Sequence, residues 1–154
     1  MKFDGWRVQV HRRPDTIKRE NVFDGELVSC DSDGRPEFAA ITKNHDNLCI
    51  WCFDLSYRGG DVREKPLVER KEMLRELLIT LDDDRLRYSD EFGHPVKLLK
   101  VADAMGVEGI VSKRRNAPYR SWPRADWFKV KTAAWREANK DRWEQFQKRG
   151  KVDA

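Results

Sequence analysis

Four short stretches of the sequence carry lysines and carboxylates in a fixed order. They are KFDG with Lys2 and Asp4, FDGELV with Glu26, VEGIVSK with Glu108 and Lys113, and WFKVK with Lys129 and Lys131. Two lysines at positions i and i+2 of a strand share one face and repel each other unless an anion lies between them, and a phosphate is the natural candidate. A glutamate that begins or interrupts an apolar strand is costly unless it is paired or binds a metal. Each of these motifs alone most often has only a structural role. The four motifs in this order are a far more specific indication of a functional site than any one of them.

The sequence contains no familiar nucleotide-binding loop. Neither the GxxxxGK phosphate loop nor the Gly-rich dinucleotide fingerprint is present. The CIWC stretch has the spacing of a metal or redox motif, but it lies in a predicted strand, where Cys49 and Cys52 point to opposite faces. We interpret both as small core residues. The three histidines form no constellation, so a nucleotide would be held by side chains on strands.

The length and composition are typical of one folded domain, or of a domain with a short appendage. The chain has 154 residues, of which 38% are charged and 39% hydrophobic. The sequence shows no run of about eighteen apolar residues and no signal-peptide core, and its three cysteines give no disulfide framework. We therefore expect a cytoplasmic protein without membrane contact.

Positive charge is concentrated toward the end of the chain. Residues 112–151 hold thirteen lysines and arginines against four acidic residues. This excess suits a polyanion such as nucleic acid or a nucleotide phosphate, although a solvated charged face is the commoner meaning of such a run. On charge alone, both interpretations stay open.

Apolar patterning predicts five strands and three helices. The strands are GWRVQVHR, VFDGELVSCD, LCIWCFDLSY, EGIVSKR and DWFKVKT. The helices are PLVERKEMLRELLITL, HPVKLLKVADAMG and AAWREANKDRWEQFQKR; Pro66 suits the first turn of the first helix, and Gly106 suits the end of the second. Strands and helices mix without regular βαβ alternation, which predicts an α+β fold.

With these motifs in place, the chain resembles the covalent nucleotidyltransferase superfamily, and in particular the adenylation domain of bacterial ATP-dependent DNA ligases of the end-joining repair type. KFDGWR matches motif I (KxDGxR), FDGELV motif III, CFDLSYRGGDVREKPLVERK motif IIIa, EGIVSKR motif IV and WFKVK motif V. The likeness runs from Lys2 to about Thr132. It implies an ATP-grasp-like nucleotidyltransferase domain, with antiparallel sheets flanked by helices, over residues 1–132, followed by a charged C-terminal helix over residues 133–154.

The resemblance also implies roles for individual residues. Lys2 would be the catalytic nucleophile that attacks the α-phosphate of ATP and forms a lysyl-AMP adduct. Glu26 and Glu108 would hold Mg²⁺ or Mn²⁺. The residues implied to contact the nucleotide, its phosphates or the nick are Asp4, Arg7, Glu26, Phe53, Lys113, Lys129 and Lys131. The implied activity joins the 5′-phosphate and 3′-hydroxyl of nicked or broken double-stranded DNA in repair, recombination and replication. End-joining repair proteins, or an OB-fold domain supplied in trans, are the expected partners.

Three departures from the family pattern leave alternatives open. We expect the pocket edge that precedes the motif I lysine, the segment with motif Ia, and the OB-fold domain to be missing from this sequence. A first alternative is therefore an impaired ligase remnant that binds nucleotide or DNA without turnover. A second is an RNA ligase or a capping-type guanylyltransferase that uses the same lysine.

Overall fold

The structure is a computed structural model that describes residues 1–3, 5–12, 20–30, 41, 47–120 and 126–140. Its elements in chain order are β1 (Trp6–Arg12), β2 (Asn21–Ser29), β3 (Leu48–Arg58), α1 (Leu67–Leu81), β4 (Leu86–Tyr88), α2 (Pro95–Ala104), β5 (Gly109–Lys113), β6 (Trp127–Lys131) and α3 (Ala133–Ala138). Each of the five predicted strands and three predicted helices includes one observed element of the same type. The predicted α+β class is therefore confirmed.

The larger sheet has the strand order β1-β2-β3-β4. It is antiparallel except for β4, which pairs in parallel with β3 and was not predicted. Helix α1 packs against β3 over a core that contains Phe23, Leu55 and Leu74, each fully buried. Cys52 belongs to this core and Cys49 to a separate cluster, so the two cysteines do lie on opposite faces of β3.

Helix α1 is fixed at both ends. Its first two N–H groups, on Leu67 and Val68, donate to the main-chain oxygens of Ala117 and Arg115, each at 3.1 Å. These bonds satisfy donors that a helix start otherwise leaves without partners. At the other end, Asp82 adopts a left-handed conformation with φ 48° and its N–H donates to Leu78. The helix is thereby tied to the segment that follows β5.

Strands β5 and β6 form a separate two-stranded antiparallel sheet. The main chain of Lys2 adds to this sheet through an antiparallel bridge with Gly109. Phe3 packs against two clusters, one with Val28 on the larger sheet and one with Ile110 on β5. The first residues of the chain therefore join the two sheets.

Helix α3 covers only the beginning of the predicted terminal helix, and residues 141–154 lie outside the described part of the chain. Thr132 caps it by accepting a hydrogen bond from the Trp135 N–H, and its hydroxyl donates to the main-chain oxygen of Val107 at 2.8 Å. None of the helices in the described ranges has the length and apolar character needed to cross a membrane.

Candidate active site

A cavity of about 690 Å³ lies between the larger sheet, α1, the start of α2 and the β5–β6 sheet. Several of the residues implied by the sequence line it: Lys2, Arg7, Glu26, Phe53, Lys113 and Lys129. Residues that are up to 127 positions apart in the chain thus face one space. Asp4 lies outside the described residues, so its predicted role stays a prediction.

Glu108 is the meeting point of two of the predicted lysines. The Lys2 ammonium donates a hydrogen bond to Glu108 Oε2, and Lys131 Nζ lies 3.0 Å from Oε1. The Glu108 side chain is only 5% exposed, and the two lysine side chains are each 20% exposed. A buried carboxylate is stable when it is paired and hydrogen-bonded, and here two cations fulfil that condition.

Strand pairing explains why these three side chains meet. Lys2 and Gly109 exchange main-chain hydrogen bonds of 2.6 and 3.2 Å, and Gly109 is paired in register with Lys131 on β6. Glu108 directly precedes Gly109, and its own main-chain oxygen accepts the N–H of Thr132 at 3.0 Å. The register of three chain segments therefore positions the cluster.

Glu26 lies on β2 in the same electrostatic environment. It is paired in register with Arg7 on β1. Burial raises the pKa of the Glu26 carboxyl, the charge of Lys2 opposes that rise, and Glu108 adds to it. Lys129 also acts on this carboxyl and lowers its pKa. Arg7 lowers this pKa as well, so five of the predicted residues interact through their charges around one corner of the cavity.

Two carboxylates in this corner fit a divalent cation only in part. Among the described residues, no group of three or more His, Cys, Asp and Glu side chains could hold a metal ion by itself. Mg²⁺ commonly uses one or two protein carboxylates and takes its other ligands from substrate phosphates and water. Glu26 and Glu108 are compatible with that mode of binding.

Lys113 has different neighbours from the other predicted lysines. Its Nζ lies 4.2 Å from the ring centre of Phe53 and 3.9 Å from that of Trp127, and it approaches Asp54 Oδ2 at 4.0 Å. Burial lowers the pKa of Lys113 to about 7, against the opposing charge of Asp54. Within the described ranges this ammonium has no hydrogen-bond partner. Lys113 is therefore a buried cation against the ring of Phe53, which is one of the residues implied to contact the nucleotide, its phosphates or the nick.

Arg7 is held in place by two residues that the sequence analysis did not single out. Its Nη2 donates to Asp24 Oδ2 at 2.8 Å and to the Tyr119 hydroxyl at 3.2 Å, and that hydroxyl donates to Asp24 at 2.6 Å. Burial, followed by the hydrogen bond to Asp24, raises the pKa of Tyr119 to about 12. Asp24 carried a usable signal, because it is a carboxylate inside an apolar strand, as Glu26 is. Tyr119 carried none, because it lies in a polar segment without periodicity.

Lys71 is the third residue that was missed. It is 6% exposed, lines the cavity, and donates to the main-chain oxygen of Ser89. Its signal was present in the sequence, since Leu67, Lys71 and Leu74 share one face of a helix at spacings of four and three. A lysine on the apolar face of a predicted helix is unusual enough to be marked as a candidate.

A sequence model of the ATP-dependent DNA ligase domain family matches residues 15–131. The chain belongs to this family. Among its curated relatives, the multifunctional non-homologous end joining protein LigD of Pseudomonas aeruginosa is 40% identical over an alignment of 115 positions that covers 70% of this chain and 14% of that protein. The SPbeta prophage-derived DNA ligase-like protein LigB of Bacillus subtilis is 33% identical over an alignment of 118 positions that covers 71% of this chain and 43% of that protein.

Solved structures show the same fold. The ligase domain of M. tuberculosis LigD superposes with a TM-score of 0.70 at 24% identity, covering 84% of this chain and 52% of that domain. A mycobacterial DNA ligase D complexed with ATP and MES matches with the same TM-score and coverage. The chain therefore spans about half of the solved ligase domain and less than half of each of the two curated relatives.

Proposed function

We propose that this protein is an adenylyltransferase of the ATP-dependent DNA ligase type, with Lys2 as the group that accepts AMP. One observation carries the proposal: the Lys2 amine, the Lys131 amine and the Glu108 carboxylate meet, and Lys2 lines the same cavity as Phe53. A nucleophile and a second cation suit attack on the α-phosphate of a nucleotide, and an aromatic ring offers its base a stacking surface. The family match and the neighbour solved with ATP support the choice of nucleotide.

The first step converts the Lys2 ammonium into a nucleophile. An ordinary lysine amine, with a pKa near ~10.4, is almost fully protonated at neutral pH. The proton leaves to water, to which the 20% exposed side chain has access. The Nζ lone pair then forms a bond to the α-phosphorus, the bond from that phosphorus to the bridging oxygen breaks, and pyrophosphate leaves.

The other residues of the corner stabilise and orient this step. Lys129 and Lys131 supply positive charge where negative charge builds on the α-phosphate. Phe53 offers a stacking surface for adenine worth about 1–3 kcal/mol, by analogy with other bases on aromatic rings. Arg7, held by Asp24 at the cavity, would contact the ribose or the DNA nick. Mg²⁺ or Mn²⁺ bound by Glu26 and Glu108 would neutralise phosphate charge.

In the second half of the reaction, the adenylyl group passes from Lys2 to the 5′-phosphate at a DNA break. The 3′-hydroxyl then attacks that activated phosphate, forms the new phosphodiester bond, and releases AMP. Double-stranded DNA with a nick or a break is the proposed substrate, and end-joining repair is the proposed setting. The name of the Pseudomonas relative supports the end-joining setting, and the name of the Bacillus relative supports DNA as the substrate.

A second candidate function is nucleotide binding without turnover. The ion pair between Lys2 and Glu108 favours it, because the Lys2 amine is already engaged by a buried carboxylate and has to leave that contact before it can attack a phosphate. In this alternative, ATP would occupy the cavity but no covalent adduct would form.

Labelling separates the two candidates. The protein is incubated with α-³²P-ATP and Mg²⁺ or Mn²⁺, denatured, and assayed for retained label. We expect label on the unmodified protein and on Lys100→Ala, an exposed lysine on α2, and none on Lys2→Ala. Nucleotide binding without retained label under any metal condition contradicts catalysis and supports the second candidate. Sealing of a nicked duplex is scored separately.

A further inference from the structure

One wall of the cavity carries a buried hydrogen-bond donor next to a main-chain acceptor, and the proposed chemistry uses neither. The donor is the ammonium of Lys71 on α1, and the acceptor is the carbonyl oxygen of Ser89, just after β4. The two atoms are 2.5 Å apart, and both residues line the cavity. The ammonium also lies 4.6 Å from the ring centre of Tyr88, which fixes its position from a second side.

Keeping this lysine buried is costly, so its position needs an explanation. The side chain is 6% exposed, and burial lowers the pKa of its ammonium, against the charges of Glu91, Asp54 and Asp90. An ammonium has three donors, and the Ser89 oxygen takes one of them. A carbonyl oxygen has two lone pairs and can accept a second hydrogen bond. The pair can therefore offer one donor and one acceptor, side by side, to a ligand.

Apolar side chains on neighbouring elements line the same cavity as this polar pair. Leu67 and Val68 come from α1, Phe53 from β3, and Ile110 from β5, and all four line the same cavity. A flat heteroaromatic ring suits a slot with apolar faces and one polar edge, since its faces need no hydrogen bonds and its edge does. The cavity volume of about 690 Å³ is within the range of small-molecule sites.

We propose that Lys71 and the Ser89 carbonyl read the edge of the adenine base, and so select the nucleotide. Adenine carries an exocyclic amino donor next to a ring-nitrogen acceptor, N7 on one edge and N1 on the other. The amino group donates to the Ser89 oxygen, and the ring nitrogen accepts from the Lys71 ammonium. This assignment rests on the proposed function, in which the bound nucleotide is ATP. It goes further by naming the residues that recognise the adenine base.

The same pair discriminates against guanine. Guanine has an acceptor oxygen at the place of the adenine amino group, so this oxygen would face the Ser89 carbonyl oxygen with no proton between them. A site built from hydrogen-bonding groups rejects a ligand that leaves those groups unpaired more strongly than an apolar pocket rejects a change of size. Selection therefore comes from the carbonyl, and affinity comes mainly from the lysine.

Equilibrium binding of nucleoside monophosphates tests the assignment without any covalent step, because AMP has no pyrophosphate to lose. AMP, 1-deaza-AMP, 7-deaza-AMP and GMP are titrated into the protein by calorimetry. We expect one of the two deaza analogues to bind about 10- to 100-fold more weakly than AMP, because it loses one hydrogen bond to a charged donor. We expect GMP to bind more weakly than AMP because its oxygen leaves the Ser89 carbonyl unpaired. This comparison uses the unmodified protein, so it does not depend on how any variant folds.

Variants then connect that loss to Lys71. In Lys71→Met and in Lys71→Gln, we expect AMP to bind more weakly, and the sensitive deaza analogue to bind as well as AMP does. Lys65→Met, on an exposed lysine paired with Glu69, is the matched control and keeps the discrimination of the unmodified protein. Thermal unfolding of each variant shows whether it is folded.

The possible outcomes separate the base assignment from the proposed function. If both deaza analogues bind the unmodified protein as well as AMP does, or if Lys71→Met weakens all three adenine nucleotides by one common factor, the assignment is overturned. If AMP does not bind at all, the assignment is also overturned. In each of these cases the labelling of Lys2 is judged on its own, because it is measured with ATP and does not depend on which residues read the base.

Discussion

Replacing Gly109 with alanine tests how the strands build the site. Gly109 begins β5, exchanges main-chain hydrogen bonds with Lys2, and is paired in register with Lys131. A Cβ atom at Gly109 would lie 2.1 Å from the main-chain oxygen of Val130 and 2.9 Å from the Cα of Lys131. The closest atom belongs to the backbone, so no side-chain rotation relieves the contact. Strand β6 would have to move away by roughly 1 Å.

The expected cost follows from that displacement. Extra atoms in a close-packed region destabilise by about 1–3 kcal/mol, and a backbone obstacle places this substitution at the upper end. For a chain of this size, ~3 kcal/mol lowers the Tm by about 6–12 °C. The displacement also separates Lys131 from Glu108 and Lys2, and a misplacement of about 1 Å can cost a factor of about 100 in rate. We therefore expect the rate of Lys2 labelling to fall by about 100-fold.

Circular dichroism melts and the labelling rate measure both effects. Gly60→Ala is the matched control, because a Cβ at Gly60 has nothing within 4 Å. We expect this control to keep the Tm and the labelling rate of the unmodified protein. A Gly109→Ala protein that melts within 2 °C (~0.5 kcal/mol) of the unmodified protein and is labelled at an unchanged rate would refute the close pairing of Lys2, β5 and β6.

Three further substitutions test the buried charges around the cavity. Asp54→Asn leaves the guanidinium of Arg70, which is 2% exposed, without its counter-charge, and we expect a loss of about 3–5 kcal/mol in urea unfolding; an unchanged midpoint would contradict this. Because burial lowers the pKa of Lys113 from 10.5 to about 7, the unfolded chain binds more protons between these pH values, so stability rises with pH there by up to about 1.4 kcal/mol per unit. We expect Lys113→Met to flatten that rise of stability with pH. A variant whose stability rises with pH as steeply as that of the unmodified protein would contradict the lowered pKa of Lys113. Tyr119→Phe removes the 2.6 Å hydrogen bond to Asp24, and we expect it to cost about 1–2 kcal/mol in the same unfolding assay, whereas a loss below the error of the measurement would contradict the contact.

Most of the fold could be predicted because its elements carry strong local patterns. Strands β1 to β3 are long alternating or apolar runs, and α1 and α2 have apolar stripes with proline near their starts. Strand β4 was missed because it has only three residues in a charged stretch, and its parallel pairing with β3 depends on tertiary structure. Local sequence does not encode such a pairing.

The candidate site could be predicted in part. The order of the motifs in the chain identified the lysines and carboxylates as candidates. The register of strand pairing decides which of these side chains come into contact. Gly109 pairs with Lys131, and this brings Lys131 to Glu108, while Lys113 lies four residues further along β5, between two aromatic rings. Sequence spacing alone could not distinguish these two lysines. Lys71 was passed over because charged residues on helices are ordinarily exposed.

The most direct test of the central claim is to find where the adenylyl group is attached. The protein is incubated with ATP and Mg²⁺ and digested, and its peptides are analysed by mass spectrometry under conditions that preserve the phosphoramidate bond. The account predicts AMP on Lys2, in the peptide that contains KFDGWR. AMP on Lys113, Lys129 or Lys131 instead, with Lys2 unmodified, would contradict it.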